Sequence, residues 1–194
     1  TTSLTITDGA ANDTITVPTT DAERNLTTVS LATGGADTVI TIDGGHGVAN
    51  TAFTMTGFTT GVGAGSDKIT ANNGGAATGY TTITAAGQAV GKTLQDQNIF
   101  EINSSVGVVT DFTATAAGGA VELLLQTAMG TLTGNSATGH LVVYGGGAQA
   151  GNAALYSFAT TSSTADVTAA TSTVELIGVI NGVTADSFVS SNFI

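Results

Sequence analysis

Residues Thr33 to Gly45 read TGGADTVITIDGG. Two glycines bend the chain, Asp37 stands at the exit of the bend, a β-branched run follows, and a second Asp-Gly-Gly closes the unit. A cruder copy lies upstream, from Asp8-Gly9-Ala10-Ala11-Asn12-Asp13 into Thr14-Ile15-Thr16-Val17, and another downstream, from Gly61-Val62-Gly63-Ala64-Gly65-Ser66-Asp67 into Lys68-Ile69-Thr70. The Asp-led strand starts at Asp13, Asp37 and Asp67 are 24 and 30 residues apart (37 − 13 and 67 − 37). A strict repeat has a constant period, so these units form a degenerate one.

Outward from this stretch the same grammar continues. Leu4 to Thr7, Thr14 to Val17, Thr38 to Ile42 and Thr81 to Thr84 are short, mostly alternating β-branched runs bounded by Gly, Asn or Asp, as half-buried strands are. Thr, Gly, Val, Ile and Ser disfavour helix because they stiffen χ1 or add backbone entropy cost. Pro18 ends the second run, Asp21 to Asn25 reads as a solvated turn, and Asn72 to Gly79 reads as an internal loop boundary. Beyond Gln95 the apolar runs lengthen: Val121 to Leu125, Leu141 to Tyr144, Ala153 to Phe158 and Val174 to Ile180. They are expected to be strands covered on both faces, although periodicity does not separate such a run from a short buried helix. A short helix is expected at Thr168 to Leu176, capped by Asp166.

The expected fold is therefore all-β, with a β-solenoid or β-roll-like N-terminal half (1–95) and a compact β-sandwich-like C-terminal half (96–194), which can equally form one continuous domain. The chain has 194 residues, enough for a real core. Three basic residues against fourteen acidic ones leave a net charge of −11, which opposes approach to nucleic acid or anionic lipid. Apolar content of 41% with 9% charged residues argues for a folded chain. No apolar run is long enough to span a bilayer as a helix, so no membrane insertion is expected. Thr1 in place of Met is read as the start of a mature or excised fragment.

Oxygen donors gathered at turns suit Ca²⁺. The candidate ligands are Asp37 and Asp43 first, then Asp13, Asp67 and Asp8, each of which can instead form an Asx-turn with its own backbone. His46 and His140 are expected in Gly-rich turns, and no G-x-S-x-G elbow accompanies them, so no enzymatic activity is expected.

The Gly-Asp units resemble eroded RTX nonapeptides, G-G-x-G-x-D-x-U-x, with several glycines lost. Thr56-Gly57-Phe58 with Ser66 to Ile69, then His140 to Tyr144, Ala154 to Phe158, Glu175 to Val183 and Asn192 to Ile194, are similar to the C-terminal regions of bacterial S-layer and RTX-type proteins exported by type I secretion, over about residues 52 to 194. That resemblance implies an uncleaved C-terminal export signal, an extracellular or cell-surface location, use of Ca²⁺ and self-assembly. With three basic residues and one proline to blunt strand edges, association into a lattice or filament is expected, by edge pairing or through apolar faces such as Val174 to Ile180. The partner is the protein itself, with cell-surface polysaccharide a further candidate. The alternatives are a carbohydrate- or surface-binding adhesin, with Tyr80, Tyr144 and Tyr156 as sugar-stacking faces, and an ice-binding β-solenoid built on the T-x-T runs at Thr5, Thr14 and Thr82.

Overall fold

Alternate strands of the N-terminal part go to different sheets, and that alternation organises the molecule. The computed structural model describes residues 3–17, 24–41, 52–70, 79–88, 98–116, 119–129, 131–133, 138–160, 164–166 and 172–194. Strands β1 (Leu4–Thr7), β3 (Thr27–Ser30) and β5 (Phe53–Thr56) pair in parallel in one sheet, and β2 (Thr14–Val17), β4 (Thr38–Thr41) and β6 (Lys68–Thr70) pair in parallel in another. The register aligns Thr14, Thr38 and Lys68, so the three preceding aspartates occupy equivalent places in successive turns. Uneven sequence spacing is absorbed in the connections. The β3–β4 turn is closed by Gly35, where a Cβ would lie 2.3 Å from the Ala11 carbonyl oxygen of the turn stacked on it.

The first sheet continues beyond β5. It also takes in β7 (Gly79–Ile83), β8 (Asn98–Ile102), β10 (Thr138–Tyr144), β11 (Asn152–Thr160) and β13 (Ser172–Asn181), in the order β1-β3-β5-β13-β11-β10-β8-β7. Short strands β9 (Thr131–Thr133) and β12 (Thr164–Asp166) pair separately. The chain is thus mostly β, as expected. Strands from both sides of residue 95 share the large sheet through the parallel β5–β13 pair, and the loop boundary expected at Asn72 to Gly79 falls, Gly79 apart, outside the described residues.

Each face of the large sheet buries a core. On one face Val29, Phe53, Met55, Val142, Leu155 and Ile177 meet Ile15, Val17, Val39 and Ile69 of the three-stranded sheet. On the other, Phe100, Leu141, Tyr156, Phe158 and Leu176 meet Val109, Phe112 and the helix α1 (Ala120–Met129). The run Val121 to Leu125, expected as a strand, is the first half of that helix. Its sequence AVELLLQTAM is rich in strong helix formers, and Val121, Leu125 and Ala128 bury one stripe at helical spacing. A five-residue window was too short to show the period.

Two further expectations are corrected. The helix expected at Thr168 to Leu176 is absent over its described part, since β13 begins at Ser172 and pairs along its length with β11; β-branched Thr173, Val174, Ile177, Val179 and Ile180 favour the pleated surface once neighbours cover both faces. For the same reason Val174 to Ile180 is no association surface. It lies between β5 and β11, with Leu176, Ile177 and Ile180 buried.

The last residues close one edge of the small sheet. A 3₁₀ turn at Ser190–Asn192 sets Phe193 beside Ile69, and Ile194 N–H donates to the Ile69 carbonyl at 3.1 Å. Phe188 and Phe193 pack with their ring centroids 5.6 Å apart. Asn192, fully buried, accepts at Oδ1 from Gly61 N–H and Val189 N–H, both at 3.1 Å, and donates from Nδ2 to the Asp67 carbonyl at 2.8 Å. Asn192→Ala strands these buried backbone groups and is expected to cost about 2 kcal/mol or more; a urea midpoint equal to wild type would refute the clamp.

Candidate functional site

A ladder of aspartates runs up the stacked turns. Each strand of the small sheet is preceded by an Asp, and the carboxylates of Asp37 and Asp67 each cap the turn before their own. Asp37 Oδ1 accepts from Asp13 N–H at 2.9 Å, and Asp67 Oδ1 accepts from Asp37 N–H at 2.9 Å. Asp67 Oδ2 accepts from Thr59 N–H at 2.7 Å, and Asp13 Oδ2 accepts from Gly9 N–H at 3.2 Å. Asn12 repeats the pattern, accepting from Ala36 N–H at 2.9 Å, and Asp8 Oδ1 accepts from Ala32 N–H. The Asx-turn alternative holds only in part: the Asp13–Gly9 and Asp67–Thr59 bonds are local, while Asp37, Asp8 and the second oxygen of Asp67 bond to turns 24 to 30 residues away.

Asp8, Asp13 and Asp37 converge, each presenting a carboxylate oxygen within 4.8 Å of the others. Asp37 is fully buried. Its Oδ2 and Oδ2 of Asp8 are shielded from solvent and, with both carboxyls ionised, have no hydrogen-bond donor. Among the described residues none of the three has a Lys or Arg partner. Three carboxylates at close quarters repel one another, and a buried acceptor without a donor is costly. A hard cation with oxygen ligands resolves both problems, whereas nitrogen- and sulfur-seeking metals find no matching donor here.

Asp67 stands one rung further along, with both oxygens engaged by N–H donors, so it holds Asp37 in place. Asp43 and His46 lie outside the described residues. His140 lies within strand β10 and not in a turn, fully buried opposite Ser157 and Ile99.

Burial raises the Asp8 carboxyl above its ordinary value, with the Ala32 N–H opposing and Asp37 and Asp13 adding to the rise. Burial likewise raises Asp67, against the N–H bonds from Asp37 and Thr59. A carboxyl whose folded pKa is raised contributes stability that is complete below its unfolded value and is lost as pH rises through the folded one. Metal-free protein should therefore gain from these two groups as pH falls from neutral towards about 4. A cation held by these carboxylates would reverse the trend, because protonation would expel it. Exposed Asp111, whose carboxyl is held low by the Thr113 hydroxyl and N–H, acts in both states and cancels in the difference. Melting curves recorded against pH in EDTA and in Ca²⁺ should converge on acidification; parallel curves would rule the linkage out.

Two of the three tyrosines are committed to the interior, and Tyr80 is half-buried. Tyr144 and Tyr156 are buried; Tyr156 donates to the Phe112 carbonyl at 2.9 Å. Tyr80 and Tyr144 both donate to the buried Glu101, and Tyr80 stacks on Phe193. The T-x-T runs also separate: Thr5 and Thr7 are on the large sheet, Thr14 and Thr16 on the small one, while Thr82 bonds Glu101 and Thr84 bonds Gln88. Among the described residues no helix is long and apolar enough to cross a membrane.

Sequence reasoning missed a second feature. Residues Asn25, Asp111, Thr113, Gln149 and Asn181, from four separate segments, edge a cleft of about 270 Å³ on the helix-bearing side of the large sheet. Nothing in their spacing announces it. Comparison with protein-family models, characterised proteins and solved structures finds no match to this chain.

Proposed function

We propose that the protein is a secreted, non-enzymatic structural protein of the bacterial cell exterior that associates with copies of itself and uses Ca²⁺ to lock its stacked turns. The observation that carries this reading is the convergence of Asp8, Asp13 and Asp37 with the buried Asp37 Oδ2 lacking a donor. In this reading Ca²⁺ supplies charge neutralisation and ties the first turn to the second, and Asp67 fixes the orientation of Asp37. The in-register aspartate turns support a β-roll-like N-terminal part of RTX type, and the twofold covering of the large sheet supports a sandwich-like remainder.

Self-association is supported by the edges. The C-terminal segment covers β6, while β1 and β7 are the outer strands of the large sheet and β2 is an outer strand of the small one. Strand β1 is exposed along most of its length, with Leu4 47% accessible. Strands β1 and β7 run in the same direction, so β7 of one copy against β1 of the next extends the sheet head to tail, a contact that does not close on itself and yields a filament. Sedimentation and electron microscopy in millimolar Ca²⁺ should find filaments or sheets, with Leu4→Lys shifting the population to monomer. Dispersed monomers of the wild type at all concentrations would overturn the assembly reading and leave the metal site standing.

A further inference from the structure

We propose that the cleft beside strand β13 is a binding site for a neutral sugar, one ring deep, with Asp111 and Asn181 as its hydrogen-bonding anchors. The inference is independent of the Ca²⁺ site and of self-assembly. Its volume of about 270 Å³ lies just below the range of about 300–1,000 Å³ typical of small-molecule sites, and so suits no more than a single ring.

The lining has two chemistries. Ala52, Phe112, Leu176 and Val179 make the apolar part, which suits the C–H face of a pyranose. Around it stand the amides of Asn25, Gln149 and Asn181, the hydroxyls of Thr54 and Thr113, and the Asp111 carboxylate. Amides and hydroxyls both donate and accept, which matches the dual character of sugar hydroxyls. With no cation among the described lining residues and a chain charge of −11, an anionic ligand is disfavoured. A purely apolar ligand would bury these polar groups unpaired.

Asp111 and Gln149 are held before any ligand arrives. Asp111 Oδ1 accepts from Thr113 N–H at 2.9 Å and from the Thr113 hydroxyl at 2.7 Å, which fixes the carboxylate while Oδ2 has no protein donor among the described residues. The backbone beside it is pinned by the Tyr156 hydroxyl on the Phe112 carbonyl. Gln149 is carried by a 3₁₀ turn, Gly147–Gln149, packed so closely that a Cβ on Gly145 would lie 2.2 Å from the Gln149 carbonyl oxygen. Such preorganisation lowers the entropic cost of binding.

The surface next to the cleft extends the same chemistry. Thr54 pairs in register with Thr28, and Thr28 with Thr5. Val29 and Met55 point into the core, so these threonines face the other way. Their hydroxyls step outward from the cleft at the strand spacing of about 4.8 Å, a lane along which a longer glycan can continue.

The test is titration of the protein, in EDTA and separately in Ca²⁺, with glucose, galactose, mannose and N-acetylglucosamine, followed by NMR or calorimetry, with ethylamine as a cationic control and sulfate as an anionic one. At least one sugar is expected to bind in the millimolar range or tighter. Asp111→Asn and, separately, Asn181→Ala should weaken it at least tenfold, with melting temperatures confirming that both variants are folded. Thr54→Val should weaken a trisaccharide of the same sugar more than the monosaccharide. No binding by any of the sugars, binding unchanged in both anchor variants, or preference for ethylamine or sulfate would overturn the assignment.

Discussion

Saturating Ca²⁺ is expected to raise the melting temperature of the metal-stripped protein by about 5–10 °C, and Asp37→Asn to abolish that rise. A ligand that binds only the folded state at one hundred times its Kd stabilises by about 2.7 kcal/mol, and each kcal/mol is worth about 2–4 °C for a chain of this size. Asp37 is the sensitive position because it is fully buried and its Oδ1 is already committed to Asp13 N–H, leaving Oδ2 for the cation. The amide keeps the shape and one acceptor but removes the charge. It also relieves the repulsion from Asp8 and Asp13, so the variant without metal should melt at or above the temperature of metal-free wild type. Those two opposite signs separate a ligand from a residue that merely packs. A wild type whose melting is indifferent to Ca²⁺, measured by calorimetry after EDTA treatment, would end the calcium reading.

Glu175→Gln is expected to be the most damaging of the substitutions considered, at about 3–5 kcal/mol, or roughly 6–20 °C in melting temperature. Glu175 and Arg24 are 5% and 1% exposed, and the Arg24 Nη2 to Glu175 Oε1 distance is 3.8 Å. Glu175 continues a polar seam across the large sheet, in register with Ser157 on β11 and, through it, His140 on β10. This seam lies on the face that carries Ile99 and Ile177, inside the core shared with the small sheet. Removing the carboxylate leaves a buried guanidinium beside a neutral group. A joint Arg24→Met, Glu175→Leu variant, which removes both charges, should recover most of the loss. Chemical denaturation of the single and double variants checks this; a double variant as unstable as Glu175→Gln would mean that packing volume, and not the charge, sets the cost.

Strand positions were legible in the residues because short β-branched runs between Gly and Asp carry their own local preference. Leu4 to Thr7, Thr14 to Val17, most of Thr38 to Ile42 and most of Thr81 to Thr84 are strands. The turn aspartates were legible too, since a carboxylate beside a glycine bend has few other uses. Their grouping was not. Spacings of 24 and 30 residues look incompatible with a stack until the register shows Thr14, Thr38 and Lys68 side by side, with the longer connections between β4 and β5 and between β5 and β6 together taking up the excess. The local signal at Val121 to Leu125 was ambiguous, and α1 emerged because its buried stripe had a sheet face to cover.

Residue types alone thus settle that this chain builds strands joined by Gly-Asp turns, carries a net charge of −11 and has no G-x-S-x-G elbow. Contacts between distant segments settle the rest. Asn192 reaches Gly61 across 131 positions, Asp8, Asp13 and Asp37 meet only when two turns stack, and the Arg24–Glu175 pair and the cleft at Asp111 join segments that share no sequence pattern. Such features depend on which strand lies beside which. Strand pairing between remote segments is decided by burial of the whole sheet on both faces, a quantity that no short window of sequence contains.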